Sequence, residues 1–413
     1  MQKHIAQARI ATMVVLFCNG LLYATWGVSV PVIKEKFSLS EGVLAIAMAA
    51  IAIGGIVTMA MAGRWISSVG SGSASVRSGV GMALAAASIL LIPNYWALLP
   101  LLIAYGITAA ANDVAANSQG SYLETSARRS LIGSLHACFS VGGLAGSLLA
   151  SYWVVSGLPL ASNFWVLGAM VVVAMAVCSH FLLNEKGSTD EQMAPNMNRT
   201  PSENPTARRR LRQFGVLAFS ALVVEGAFYD WAAVYMREVI DAPAAWVGFG
   251  YAAFAVGMTL GRLAGDKVRD ALSHETVMTA SGAICILGLA VVLVGSSPTV
   301  VLVGFWVTGV GLSNFIPMLF SAAGKLSQNA GIPASQGLAI TTRLAYVGLL
   351  VGPLFVGPIA QVVGLRYSLI TLAAAVATTC LGWLYISRAT GGVPWAVRPT
   401  SDESEPYRMI GKA

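Results

Sequence analysis

Long apolar stretches separated by short polar breaks dominate the chain. They show no alternation of apolar and polar residues with a period of two, which favours helices over a membrane β-barrel. At 1.5 Å of rise per residue, each stretch can cross about 30 Å of hydrocarbon. The pattern predicts twelve transmembrane helices at about residues 9–33, 42–63, 77–93, 96–119, 131–155, 162–184, 213–236, 244–264, 275–296, 299–322, 333–361 and 366–388.

The composition supports an all-α polytopic membrane protein. Hydrophobic residues occupy 56% of the 413 positions and charged residues only 10%, whereas soluble domains carry about 25% charge. The sequence contains no phosphate-binding loop, nucleophile elbow or cluster of metal ligands. We therefore expect no enzyme activity, no cofactor and no metal site.

Lysines and arginines are unevenly divided between the two sets of connections. The set that includes both termini carries most of them, while the opposite set holds only Lys34, Lys36, Arg237 and Arg366. The positive-inside rule assigns the richer set to the cytoplasm. We predict a bacterial-type inner-membrane protein with both termini in the cytoplasm, and the net charge of +7 does not indicate a nucleic-acid partner.

One polar segment divides the chain. Residues 185–212 contain several prolines and acidic residues and end in Arg208-Arg209-Arg210-Leu211-Arg212, a composition that cannot bury a core. We predict an N-terminal six-helix bundle over 1–184, a cytoplasmic linker over 185–212, a C-terminal six-helix bundle over 213–390 and a cytoplasmic tail over 391–413. We expect a monomer.

The two halves repeat each other in order. Gly63-Arg64 has a counterpart in Gly261-Arg262, the segment from Tyr23 to Trp26 in the segment from Phe228 to Trp231, and Gly142 and Gly146 in Gly348 and Gly352. Glycines four positions apart let helix backbones approach closely. We predict two pseudo-symmetric bundles with a solute site between them at the membrane midplane. The four paired glycines are predicted to lie at the moving contact between the halves.

At this point a family resemblance appears. The segment from Gly261 to Lys267 resembles the signature that lies between paired helices in the major facilitator superfamily, and the segment that begins at Gly63 is a weaker copy, with Ser67 where an acidic residue is expected. The segments 112–117, 136–143 and 225–231 resemble the fucose-permease-like branch, which includes sugar–proton symporters. The resemblance implies the major facilitator fold and a gating role for Gly63, Arg64, Gly261, Arg262, Gly265, Asp266 and Lys267.

Charged residues within predicted spans need a reason, because each costs about 2.5–3.5 kcal/mol at the bilayer centre. Glu225 lies about 18 Å along the seventh span, near the midplane. Burial favours the protonated form of a carboxyl group, so Glu225 is our main candidate for proton coupling, followed by Asp113 and His136. The alternative for Glu225 is a fixed salt bridge with Arg343; both interpretations hold if protonation releases the arginine.

Other polar and aromatic residues are candidates for solute contact. Asp113 and Asn117 share one helix face, which suits hydrogen bonding to a hydroxylated solute, although contact between helices explains them equally well. Asp230 lies on a different face from Glu225, at the external vestibule or as a helix cap. Asn314 and Pro317 predict an interruption of the tenth span. The predicted solute-binding residues are Asn19, Trp26, Asn112, Asn117, Tyr229, Asn314, Arg343 and Tyr346.

These observations predict a secondary transporter that imports a small polar, sugar-like solute together with protons. Its partners would be the solute, protons and the lipid bilayer. The alternative is a proton-driven antiporter that exports drugs or amphiphilic metabolites. Exporters of the superfamily typically carry a Gly-Pro motif in the fifth span, whereas here Gly352-Pro353 lies in the eleventh. A membrane sensor is less consistent, because the chain shows no soluble signalling domain.

Overall fold

The computed structural model describes residues 2–127, 132–183, 205–332, 334–392 and 394. Within these ranges, 12 helical stretches are long and apolar enough to cross a membrane. The predicted all-α fold with twelve spans is confirmed. The first half contains α1 (Gln2–Lys36), α2 (Glu41–Val69), α3 (Ser71–Ser88), α4 (Tyr95–Ala127), α5 (Ile132–Val155) and α6 (Leu160–Cys178).

The second half contains two spans that are each built from two helices. The tenth span is interrupted at Ser313 and Asn314, as the sequence predicts, and the twelfth is interrupted at Leu369. The helices are α7 (Pro205–Glu238), α8 (Ala244–Ala271), α9 (His274–Val294), α10 (Pro298–Leu312), α11 (Phe315–Asn329), α12 (Ala334–Val363), α13 (Leu365–Ser368) and α14 (Ile370–Ala389).

Helix α7 begins earlier than the sequence pattern predicts. It starts at Pro205, so residues 205–212 are helical although we predict them as linker. Proline is well tolerated at the first position of a helix, and Ala207 and Leu211 bury their side chains. The run of arginines therefore lies on the first turns of α7. Residues 185–204 of the predicted linker and 395–413 of the predicted tail lie outside the described residues.

Close contact between α1 and α5 depends on glycine. A Cβ atom added to Gly142 or Gly146 of α5 would overlap the carbonyl oxygen of Phe17 or Leu21 on α1, and one added to Gly20 would overlap the backbone of α5. Backbones that approach this closely gain dispersion energy along the whole contact, the main attraction between helices in lipid.

The same arrangement recurs in the second half between α7 and α12. Gly348 and Gly352 of α12 lie against the carbonyl groups of Phe219 and Val223, and Gly226 of α7 lies against the backbone of α12. One constant offset in residue number relates this set of glycines to the set in α1 and α5, although the carbonyl groups that Gly348 and Gly352 meet lie one helical turn earlier on α7 than this offset gives. Our prediction that the paired glycines lie between the halves is therefore wrong, because each pair holds two helices of the same half together.

A second constant offset relates the contact of α2 with α4 to that of α8 with α10. Gly54 and Gly106 make the first contact, and Gly257 and Gly309 make the second. The match of Gly63-Arg64 with Gly261-Arg262 does not follow this offset. Arg262 consequently lies deeper in its bundle than Arg64 does, within the span that covers Ala244–Gly265.

The two halves meet at the end of the molecule that carries the connection 37–40, which we call the shut end. Here Lys34 bridges the halves: its Nζ lies 2.5 Å from Glu238 Oε2 and 3.1 Å from Glu41 Oε1. The N–H of Gly42 donates a hydrogen bond to Gln361 at 3.1 Å. Helix α2 packs on α12 and α5 packs on α8 along this contact. The opposite end carries residues 2 and 389, and we call it the terminal end.

Candidate functional site

An ion pair with a buried carboxylate lies inside the C-terminal bundle. Arg262 Nη2 of α8 is 3.1 Å from Oε1 and 3.4 Å from Oε2 of Glu225 on α7. The side chain of Glu225 is 9% exposed, whereas that of Arg262 is 40% exposed although it lies within a span. The pair therefore borders a space that water can reach, and the carboxylate forms its less accessible side.

The predicted partner of Glu225, Arg343, is not the one found. Gly226 of α7 lies level with Leu349 of α12, where the two backbones touch. Arg343 is six residues before Leu349, so it lies about 9 Å nearer the terminal end. The predicted helix starts place Glu225 and Arg343 at similar depths, whereas α7 begins eight residues before its predicted start. Arg343 is exposed, one helical turn from Tyr346 on the same side of α12.

Tyrosines and a second carboxylate surround the ion pair. Tyr229, one turn along α7, interacts electrostatically with the carboxylate of Glu225. Tyr346 of α12 interacts electrostatically with Asp113 of α4 as well as with the ion pair, and Tyr23 of α1 interacts with both carboxylates. Residues from both halves thus converge on one region. We call it the central cluster: Tyr23, Asp113, Glu225, Tyr229, Arg262 and Tyr346.

A further contact joins the halves between the central cluster and the shut end. The indole N–H of Trp26 on α1 donates a hydrogen bond of 3.1 Å to Oδ1 of Asp230 on α7. Trp26 is 2% exposed, and Asp230 is half-buried. Trp26, predicted to contact solute, therefore closes the inter-half contact in this conformation.

The predicted amides have separate environments. Asn112 donates to the carbonyl oxygen of Ser75 on α3 at 2.8 Å, which makes it a packing residue of the first bundle. Asn117 donates to Oδ1 of Asp113 at 3.2 Å and so belongs beside the central cluster. Asn314 accepts a bond of 3.0 Å from Arg269 at the interruption of the tenth span. Asn19 is buried on α1.

The signature residues lie towards the terminal ends of α2 and α8. Arg64 and Lys267 are exposed, and a Cβ on Gly63 would meet open space. Gly261 and Gly265 instead lie against the interruption of the tenth span, at Ser313 and Asn314. The side chains of Asp266 and His136 lie outside the described residues, so their predicted roles stay predictions.

A profile of the Major Facilitator Superfamily matches residues 12–343 of this chain. The chain belongs to the Major Facilitator Superfamily. It is 29% identical to membrane protein MosC of Rhizobium meliloti over 92% of this chain and 90% of that protein. It is 28% identical to an uncharacterised MFS-type transporter of Yersinia pestis over 89% of this chain and 94% of the relative.

Solved structures of other transporters share the fold. A bacterial homologue of the human lysosomal transporter Spinster, inward-facing and unoccupied, superposes with a TM-score of 0.70 at 14% identity, covering 92% of this chain and 97% of that one. The outward-facing superfamily transporter FucP gives 0.59 at 16% identity, with 91% and 97% covered. The protein is thus a secondary transporter of the superfamily and not an enzyme.

Sequence reasoning missed two members of this transporter's polar interior. Tyr23 was noted only as part of a repeat, and Arg262 was assigned to a gate rather than to Glu225. The constant offset that relates Gly20 to Gly226 also relates Tyr23 to Tyr229, so the repeat contained a signal for Tyr23. The role of Arg262 required the register of α8 against α10, which the sequence match misplaced.

Proposed function

We propose that this transporter couples the import of a small polar, hydroxylated solute to protons by alternating access. The observation that carries the proposal is the Glu225–Arg262 pair, whose carboxylate is buried and which interacts electrostatically with tyrosines of both halves. The resemblance to the fucose-permease-like branch agrees with this class of solute.

Proton coupling follows from the chemistry of the pair. A proton delivered to Glu225 would neutralise its carboxylate and remove the charge that holds Arg262. The Arg262 side chain is 40% exposed, so its guanidinium group would be free to bind an oxygen of the solute. Loss of the proton would restore the ion pair and displace the solute. Proton and solute would then bind together and leave together, as symport requires.

The polarity of the central cluster supports a hydroxylated solute. The phenolic groups of Tyr23, Tyr229 and Tyr346 are both donors and acceptors, and Asp113 adds an acceptor. Alternating donors and acceptors match the hydroxyl groups of a sugar-like molecule better than an apolar drug. The nucleoside transporter NupG has a similar fold, with a TM-score of 0.68 at 12% identity, and a nucleoside also carries sugar hydroxyls.

The orientation completes the proposal. With both termini in the cytoplasm of an inner membrane, the shut end faces the periplasm and the central cluster is reached from the cytoplasm. Reporter fusions after Glu185 and after Arg388 test this topology. Both reporters should report the cytoplasm, and a periplasmic signal from either would reverse the orientation.

The deciding experiment compares two assays in proteoliposomes with a panel of sugar-like solutes. Glu225→Gln keeps the shape of the side chain but fixes it in a neutral state. We expect this variant to exchange solute in counterflow yet fail to accumulate it on a pH gradient. The matched control is Glu35→Gln, the same change at an exposed position outside the central cluster, which should accumulate solute normally.

Three results would contradict the proposal. If Glu225→Gln still accumulates solute, Glu225 is not the coupling residue and Asp113 or His136 takes its place. If the unaltered transporter shows no response to a pH gradient, coupling to protons is wrong. If an inward proton gradient drives the solute outwards, the protein is the antiporter that the sequence left as the alternative.

A further inference from the structure

Asp230 differs from Glu225 in having no cation beside it. Glu225 has Arg262 at 3.1 Å, and Glu41 and Glu238 share Lys34. Among the residues that the structure describes, no lysine, arginine or histidine lies within ion-pair distance of Asp230. Its polar contact is the indole N–H of Trp26, which belongs to the other half of the molecule.

The groups that face Asp230 from neighbouring helices are tyrosines. Tyr23 of α1, Tyr105 of α4 and Tyr251 of α8 all interact electrostatically with it. Helix α12 carries no titratable residue after Tyr346, and α10 carries none at all. Asp230 is therefore a half-buried carboxyl group in a contact between halves where the described residues supply aromatic rings and hydroxyls but no positive charge.

The balance of two energies decides which form of Asp230 the shut contact prefers. The hydrogen bond from Trp26 favours the ionised carboxylate. Removal of an unpaired carboxylate from water opposes that form, and this penalty exceeds what one hydrogen bond returns. A protonated Asp230 keeps Oδ1 as an acceptor for Trp26, and its new O–H can donate to a tyrosine oxygen.

We propose that Asp230 is a second proton-binding site, and that its protonation allows the two halves to close at the shut end. When this end opens, water reaches Asp230 and the ionised form becomes the stable one. A proton from water then binds at Oδ2, the neutral side chain enters the contact, and Trp26 closes over it. In the shut state the half-buried side chain can return this proton to water in the space beside the central cluster.

This inference deepens the proposed function and depends on its proton coupling. In the proposed orientation the shut end faces the periplasm, so Asp230 would load its proton from the side where protons are abundant. Glu225 would bind a different proton, the one that releases Arg262 so that Arg262 can bind the solute. Closure of the shut end would require a proton on Asp230. The transporter would therefore not change from the state open at this end to the shut state while Asp230 is ionised.

The shut contact can be measured without any solute. Spin labels at Leu158→Cys and Val294→Cys lie on different halves at the shut end, where both positions are exposed. The five native cysteines, Cys18, Cys138, Cys178, Cys285 and Cys380, are replaced by alanine in this background. Distance distributions between the labels then give the ratio of open to shut molecules from about pH 5 to pH 9 in lipid nanodiscs.

We expect the ratio of open to shut molecules to rise with pH. A tenfold difference in proton affinity between the two states changes this ratio about tenfold across the titration, by linkage. Asp230→Asn should stay mostly shut with a ratio that no longer depends on pH. Asp241→Asn is the matched control, because Asp241 is exposed at the same end, and it should keep the full dependence.

Infrared spectroscopy gives a second measurement if Asp230→Asn folds poorly. Acidification of the unaltered protein should produce a carbonyl band of a buried carboxylic acid that persists in Glu225→Gln. The conservative variant Trp26→Phe, which removes the indole donor, should shift the frequency of that band.

The inference is overturned if the open-to-shut ratio is independent of pH in the unaltered protein, or if Asp230→Asn keeps the dependence. Either result leaves solute accumulation through Glu225 to be judged on its own assay.

Discussion

Helices α1 and α7 occupy equivalent places in the two halves but carry different chemistry. The offset that relates Gly20 to Gly226 also pairs Tyr23 with Tyr229. By the same offset, Asn19 of α1 is the equivalent of Glu225 of α7. Both helices therefore keep the same backbone contact and the same aromatic side chain. Only α7 has an acid at this position, since α1 has Asn19 there.

The comparison extends to the helices that follow. The offset between α2 and α8 places Met59 at the position that corresponds to Arg262. The ion pair of the second half thus corresponds to an amide and a thioether in the first half. Duplication preserved the positions where backbones touch, because any side chain there would force helices apart. Positions that face the central space differ, because the first half contributes Asp113 of α4 and the second half contributes the Glu225–Arg262 pair.

The largest effect should come from making the second half resemble the first at one position. Arg262→Met leaves the Glu225 carboxylate buried without its cation. Loss of one partner of a buried pair costs about 3–5 kcal/mol, and the 40% exposure of Arg262 reduces this to about 2–3 kcal/mol. We expect a lower midpoint of thermal unfolding in detergent and no solute accumulation.

The double variant Glu225→Asn with Arg262→Met gives the second half the residues that the first half has at both equivalent positions, Asn19 and Met59. Removal of both charges should recover most of the lost stability, while accumulation of solute stays absent because no titratable group remains at this position. A double-mutant cycle on thermal stability measures the coupling between the two residues. Additive losses would show that the ion pair contributes nothing to the fold of the second half.

A smaller effect is expected where the halves agree. Gly142→Ala and Gly348→Ala each place a methyl group on a neighbouring carbonyl oxygen, and overpacking of this kind costs about 1–3 kcal/mol. Gly63→Ala is the control, because its Cβ enters open space in a helix. We expect similar losses in midpoint for the first two variants and none for the third. A loss confined to one half would mean that the repeated contacts differ in strength.

The sequence predicted the architecture well because lipid imposes simple rules. Apolar stretches of sufficient length mark the spans, and Asn314 marks the interruption of the tenth. The ion pair was predicted with the wrong partner because depth along separate helices depends on where each begins and on how neighbours align. Pro205 extends α7 beyond its apolar segment, and the repeat of Gly63-Arg64 at Gly261-Arg262 suggested a false register for α8. Contacts between helices decide such details.

Asn112 and Asn117 offer a finer comparison within α4. Asn112 donates to Ser75 inside the first bundle, whereas Asn117 borders Asp113 and the central cluster. Asn112→Ala should lower thermal stability by about 1 kcal/mol and leave the KM for solute unchanged. Asn117→Ala should raise the KM and change stability less. If the KM changes in Asn112→Ala but not in Asn117→Ala, Asn112 contacts the solute, as the sequence predicts.

The smallest effect should lie at the surface of the shut end, where Lys34 joins Glu238 of the other half. Both side chains are partly exposed, at 12% and 30%, so their attraction is screened and contributes about 0.5–1 kcal/mol to the contact between the halves. Lys34→Gln should raise the open-to-shut ratio about twofold to fivefold at low ionic strength, since each 1.4 kcal/mol is a factor of ten.

Added salt should bring the open-to-shut ratio of the unaltered protein towards that of the variant, because ions screen exposed pairs. Lys36→Gln, which removes an equal charge that bonds to backbone carbonyls of its own half, is the control and should leave the ratio unchanged. If spin-label distances show the same ratio in Lys34→Gln and the unaltered protein at every salt concentration, closure of this end depends on apolar packing and on Trp26 with Asp230, and the bridge formed by Lys34 is incidental.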